Sequence, residues 1–136
     1  LYRRRIIMTD AMLRHFLGFD PVMFKPNEGN YPRYNIVREE SADRVSVEIA
    51  VPGFGKDDVL VEQDGNKLII KAKPVNWLDE GEEYLHKGFS SKAFEKDFIL
   101  GEFMEVDSVR LQDGVLVINV VKNIPEDKRP KIFTIE

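Results

Sequence analysis

The chain has no cysteine, two histidines and one tryptophan in 136 residues. Without cysteine there can be no disulfide framework, no thiolate nucleophile and no Cys-based zinc or iron–sulfur site, so folding needs no oxidising compartment and a cytoplasmic setting is expected. His15 and His86 fall in no H-x-x-H or H-E-x-x-H pattern, which leaves no metal-ligand set. Long apolar runs are missing too. After Arg3, Arg4 and Arg5 only Ile6, Ile7 and Met8 precede Thr9 and Asp10, too short for the apolar region of a secretion signal. Nothing approaches the roughly 20 residues of a membrane-spanning helix. Excess positive charge is absent: the net charge is −4, and nucleic-acid binding needs a concentrated Lys/Arg surface. The arginines at 3 to 5 form the only tight basic cluster and read as a solvated terminal segment.

Two further absences bear on catalysis. Gly53-Phe54-Gly55-Lys56 lacks the spacing and the Lys-Ser/Thr pair of a phosphate loop, and no long helix follows it, so ATP hydrolysis is not expected. The carboxylate pairs Asp57-Asp58, Asp79-Glu80 and Glu82-Glu83 lie in polar stretches and read as solvated surface, although paired acids can perform acid/base work elsewhere. No cofactor, metal or catalytic residue is assigned, and the chain is not expected to be an enzyme.

What is present is a composition of 43% hydrophobic and 32% charged residues, which suits one globular domain built by side-chain burial. Three zones separate by pattern. Residues 1–30 form an apolar arm in which Met12, Leu13, Phe16 and Leu17 recur at the spacing of one helical face. Asp10 stands where a cap would, and Gly18 lies near the helix end. Phe19, Met23 and Phe24 extend the arm before the loop at 26–30. From 31 to 122 the period changes to two. Val45, Val47, Ile49 and Val51 alternate with polar or small residues until Pro52-Gly53 stops the strand. Val59-Leu60-Val61 and Lys67 to Lys71 flank a turn with Asp64-Gly65, and Val106 to Gln112 and Val115 to Val121 flank Asp113-Gly114, both hairpin signals. Phe94, Lys96 and Phe98 mark another alternating strand. Short strands without long amphipathic helices between them indicate an all-β antiparallel sandwich. Residues 123–136 hold Pro125 and Pro130 and read as an extended tail with a short sticky end.

Three motifs in order resemble the small heat-shock family. Ala50-Val51-Pro52-Gly53-Phe54 resembles the consensus where the third strand of the α-crystallin domain ends. Leu111-Gln112-Asp113-Gly114-Val115-Leu116 resembles the family signature near the domain's end. Leu17-Gly18-Phe19-Asp20 with Phe24, and Tyr31-Pro32-Arg33-Tyr34-Asn35, resemble the bacterial inclusion-body-binding type. The resemblance implies an immunoglobulin-like β-sandwich, the α-crystallin domain, over 31–122, with a partly helical N-terminal arm over 1–30 and an extended tail over 123–136. It also implies an ATP-independent holdase of the stress response that binds partly unfolded proteins and prevents their aggregation.

Its partners would be itself, as a dimer assembling into larger oligomers, unfolded clients, and ATP-dependent refolding chaperones downstream; no nucleic acid or membrane is implied. Leu13, Phe16, Leu17, Phe19, Met23 and Phe24 would serve client binding and assembly. The segment 74–88 resembles the family's long loop, whose central strand pairs with the neighbouring subunit; Trp77, Tyr84, Leu85 and Lys96 would form the dimer interface. Phe133 and Ile135 stand where the family carries Ile-x-Ile, and would enter a groove made by Val59, Val61, Val109 and Leu111. Two departures stand out: Phe occupies the first tail slot, and Lys96 stands where the family commonly has an arginine that pairs with acids across the interface, a point charge in place of a planar fork. Two rivals remain. One is a monomeric, co-chaperone-like sandwich that docks on one folded partner. The other is a β-sandwich hydrolase, which needs convergent carboxylates that the sequence does not show.

Overall fold

The structure, a computed structural model, describes residues 22–23, 30–39 and 44–136. Eight strands follow in order: β1 (Val22–Met23), β2 (Tyr34–Glu39), β3 (Arg44–Ala50), β4 (Val59–Asp64), β5 (Lys67–Ala72), β6 (Phe94–Leu100), β7 (Met104–Gln112) and β8 (Val115–Lys122). They form two antiparallel sheets, β1-β6-β5-β4 and β2-β3-β8-β7. The all-β antiparallel sandwich expected from the alternation is therefore present. The expected N-terminal helix lies outside the described residues; the arm contributes β1, where Met23 pairs with Ile99.

Alternation builds the core because successive strand side chains point to opposite faces. On β3 and β8 the inward pairs are Val45 with Val120, Val47 with Ile118 and Ile49 with Leu116, all essentially buried. On β5 and β6, Leu68 faces Phe98, and Ile70 faces Lys96. Val51 and Phe54 close the core beyond the end of β3. Burying each such side chain contributes about 1.5 to 3 kcal/mol.

Two connections shape the surface. The β7–β8 hairpin uses a two-residue loop, Asp113 and Gly114, both at positive φ (52° and 76°), the pattern of a type I′ turn. The β4–β5 hairpin turns on Gly65 and Asn66, one residue later than the Asp64-Gly65 signal suggests. Only Gly65 takes positive φ there (61°), and Asp64 stays in register opposite Lys67. The connection 73–93 between the paired strands β5 and β6 carries no strand; at its base Val75 N donates to Ser91 O at 2.9 Å.

Candidate functional site

The open side of the sandwich between β4 and β7 forms a groove. Val59, Val61, Val109 and Leu111 line it together with Leu116, Lys56 and Arg110, around a volume of about 460 Å³. The four residues expected from the sequence are thus brought into one cavity. β7 reaches this arrangement through a bulge: Val106 pairs with Val120 and Ser108 with Asn119, which leaves Asp107 as the extra residue. The bulge puts Val106 and Val109, three apart, on the same inward face.

Gln63, further along β4, bridges to β7. Its side-chain amide donates to Met104 O at 3.0 Å and to Gly65 O at 2.9 Å, while its Oε1 accepts from Val106 N at 3.0 Å. The side chain thus acts as a piece of peptide, joining two strands that share no ladder. Sequence patterning does not single out Gln63, because it reads as the first residue of the turn with Asp64-Gly65-Asn66, whereas the structure keeps it in β4.

A second surface lies along the 73–93 connection. Trp77 and Tyr84 line one cavity of about 470 Å³ with Val75, His86 and Phe89. Trp77 rests on Gly53, where an added Cβ would lie 2.6 Å from the indole nitrogen; this close approach and Gly53's φ of +84° explain the glycine. Ser91, buried beneath, donates to Pro52 O at 3.0 Å. An adjoining cavity of about 460 Å³ is lined by Tyr31, Arg33, Pro52, Lys87, Phe89 and Lys92, among others. The Tyr31 hydroxyl donates to Lys92 O at 2.7 Å, with Ser90 O at 3.4 Å, and burial pushes the phenol's pKa above its ordinary value.

The other expected site residues fall in different places. Leu85 is 97% exposed and stands apart from both cavities. Lys96 is 5% exposed: its register opposite Ile70 faces inward, and its Nζ sits 4.9 Å from the centre of the Tyr34 ring on the other sheet. Its charge is held by an aromatic face, and the chain's own fold, not an open surface, surrounds it. Phe133 and Ile135 are 81% and 95% exposed, beyond the short 3-10 turn Glu126–Lys128. The arm residues Leu13, Phe16, Leu17, Phe19 and Phe24 lie outside the described residues, and Met23 is described only through its strand pairing. Phe89, 70% exposed, was missed by the sequence reading; a lone aromatic after Gly88 in a polar stretch was its only signal. Among the described residues no three His, Asp or Glu side chains converge as metal ligands, and no helix is long and apolar enough to cross a membrane.

An immunoglobulin-like sandwich with an open groove and an aromatic loop defines a class, and the comparisons give it a name. A model of the Hsp20/alpha crystallin family matches residues 37–136, and the chain belongs to that family. It is 34% identical to the small heat shock protein HspH of Bradyrhizobium diazoefficiens, over 90% of this chain and 83% of that protein. It is 29% identical to small heat shock protein IbpB of Yersinia pestis, over 91% and 82%. Among solved structures, a small heat shock protein from Synechococcus phage S-ShM2 is 38% identical, with a TM-score of 0.57 over 77% of this chain and 99% of that one. The fold also matches a small heat-shock protein of Xylella fastidiosa at TM-score 0.61, with 20% identity over 77% and 95%. Family membership supports a chaperone role for this protein.

Proposed function

We propose that the protein is an ATP-independent holdase that covers the apolar surface of partly unfolded proteins and keeps them from aggregating. The observation that carries this reading is the surplus of exposed apolar side chains, Trp77, Leu85, Phe89, Ile132, Phe133 and Ile135, more than a lone sandwich normally leaves in water. Contact with them needs no chemical step. Binding lowers the free concentration of aggregation-prone chains by mass action, and aromatic or flexible apolar surfaces repack against many shapes. Light scattering of a heated client should fall as the protein approaches equimolar amounts, equally with and without ATP. A strict nucleotide requirement, or no suppression at several-fold excess, overturns the reading.

Two contacts would assemble the protein. The 73–93 connection carries the exposed aromatic side chains Trp77, Tyr84 and Phe89, and β2 and β7 are the edge strands of one sheet. Pairing such an edge with a neighbour's loop satisfies amides that otherwise invite aggregation. The tail would supply the second contact, with Phe133 and Ile135 two apart and on one side of an extended segment, fitting the β4–β7 groove of another dimer. Burying both side chains contributes roughly 3 to 6 kcal/mol before ordering costs. One such contact opens readily; several together hold an assembly through high effective concentration.

A further inference from the structure

We propose that Gln63 is the end-stop of the outer edge of β7, a positioning residue that fixes the register of any strand laid on that edge. This rests on the reading above that Phe133 and Ile135 of a second copy enter the β4–β7 groove, and it names the residue that decides where along β7 they lie.

The backbone groups of that edge can be assigned one by one. Asp113 and Gly114 form a two-residue turn, so Gln112 and Val115 on either side of it exchange hydrogen bonds. Alternation from that pair turns the amides and carbonyls of Arg110 and Ser108 toward β8 as well, and those of Leu111 and Val109 away from it. β7 ends its sheet and β4 ends the other, so Leu111 and Val109 present their backbone groups along an outer edge. Beyond the Asp107 bulge the next groups on this edge are Val106 N and Met104 O, and both are taken. Val106 N donates to Gln63 Oε1 and Gln63 Nε2 donates to Met104 O, each at 3.0 Å. A further bond from Nε2 to Gly65 O at 2.9 Å anchors the carboxamide to its own turn. Gln63 does not line the groove cavity; it acts on the strand edge that runs on from it.

Parity explains why a stop is needed. Phe133 and Ile135 lie two apart, so a one-residue slip turns both out of the groove, whereas a two-residue slip keeps both facing in. Period alone therefore leaves the register open in steps of two. At one end the turn at Asp113 and Gly114 finishes β7. At the other, the β4 side chains on the groove face run Val59, Val61 and Gln63 by alternation, so the third place of an otherwise aliphatic row is an amide with partners of its own. A strand reaching past Val109 must displace that amide from two backbone groups before it can bond to either. The open stretch is thus 109–111. A segment centred there sets Thr134 across from Arg110, with Phe133 and Ile135 beside Val109 and Leu111.

A bridge that served only to hold the two sheets together would leave this register untouched, so the register is the quantity to measure. The chain has no cysteine, and introduced thiols report on it without background. Full-length chains carrying Thr134→Cys are refolded with full-length chains carrying either Arg110→Cys or Ser108→Cys and oxidised gently; the mixed disulfide, interchain by construction, is quantified by peptide mass spectrometry. Directly opposed strand positions reach disulfide geometry and positions two residues off do not, so the 134–110 bond should exceed the 134–108 bond by roughly tenfold or more. With Gln63→Ala, or the similarly long Gln63→Met, in the accepting chain, the 134–108 share should rise severalfold, while faster amide exchange at Val106 certifies that the bridge is gone. A 134–108 share unchanged in both variants, or a parent that already favours 134–108, overturns the end-stop and leaves the tail reading standing. No mixed disulfide at either position in the parent overturns the tail reading and the end-stop with it.

Discussion

Three side chains carry local consequences that separate variants can measure. At Gly53 both the left-handed φ and the Trp77 ring exclude a Cβ. Gly53→Ala is expected to cost about 1 to 3 kcal/mol and to move Trp77 off its seat. Because Trp77 is the only tryptophan, thermal unfolding and a red-shifted emission report both effects from one sample. At Gln63, substitution by Ala removes the donors and acceptor shared with Met104 O and Val106 N; a loss of about 1 to 2 kcal/mol is expected, with faster amide exchange at Val106. Tyr31 gives a pH dependence. Its folded pKa is raised by burial, so the neutral phenol is the form the fold prefers. The folded state therefore holds its proton to higher pH than the unfolded chain does. Its contribution is complete below the ordinary tyrosine value of about 10 and is lost as pH rises through the folded value. Above that range the phenolate cannot donate to Lys92 O. Alkaline loosening of 84–92, followed by hydrogen exchange, should become insensitive to further pH rise in this range in Tyr31→Phe, which already lacks the donor.

Among the strands, β3 and β8 show most clearly how far the sequence alone reaches. Val45, Val47 and Ile49 declare their face by spacing, and Val120, Ile118 and Leu116 answer them in register. β7 is subtler: from the sequence alone 106 to 112 is one unbroken strand, but Val106 and Val109 lie three apart and the Asp107 bulge sets both inward. A contrast of deletions tests it. Removing Asp107 leaves the inward residues in alternation, so the sandwich should still fold. Removing Arg110 makes Val109 and Leu111 neighbours, throws Leu111 outward, and should lower stability by about 2 kcal/mol in denaturant titration. The period showed Val59, Val61, Val109 and Leu111 as strand residues, but only the family resemblance named them as a groove; the structure brings the four into one cavity. The surface of 73–93 was not legible, because loops obey no period: Trp77's seat depends on Gly53, distant in sequence, and Phe89 gave no pattern at all. Lys96 shows the opposite failure. Its position between Phe94 and Phe98 pointed inward by parity, yet its charge suggested an outward partner, and an aromatic face across the sandwich resolved the conflict.

For the molecule as a whole, the tail and the connection would divide the work of association. Phe133→Ala with Ile135→Ala is expected to reduce a large assembly to dimers while the sandwich keeps its unfolding midpoint, measured by light scattering with chromatography and by thermal denaturation. A double variant at the parent's mass excludes the tail as the link. The connection leaves and re-enters the body between two strands that pair directly, Ala72 opposite Phe94, so its departure breaks no rung of that ladder. Lifting it breaks local contacts, among them the Trp77 seat, the Ser91 bond to Pro52, the Tyr31 bond to Lys92 and the packing of Val75 on the core. Subunits could then trade partners on the timescale of a local opening, far faster than the core unravels. Mixed isotopic populations should scramble while the amides of β3 and β8 remain protected from solvent deuterium, and the rate of mixing should follow loop substitutions and ignore those in the core.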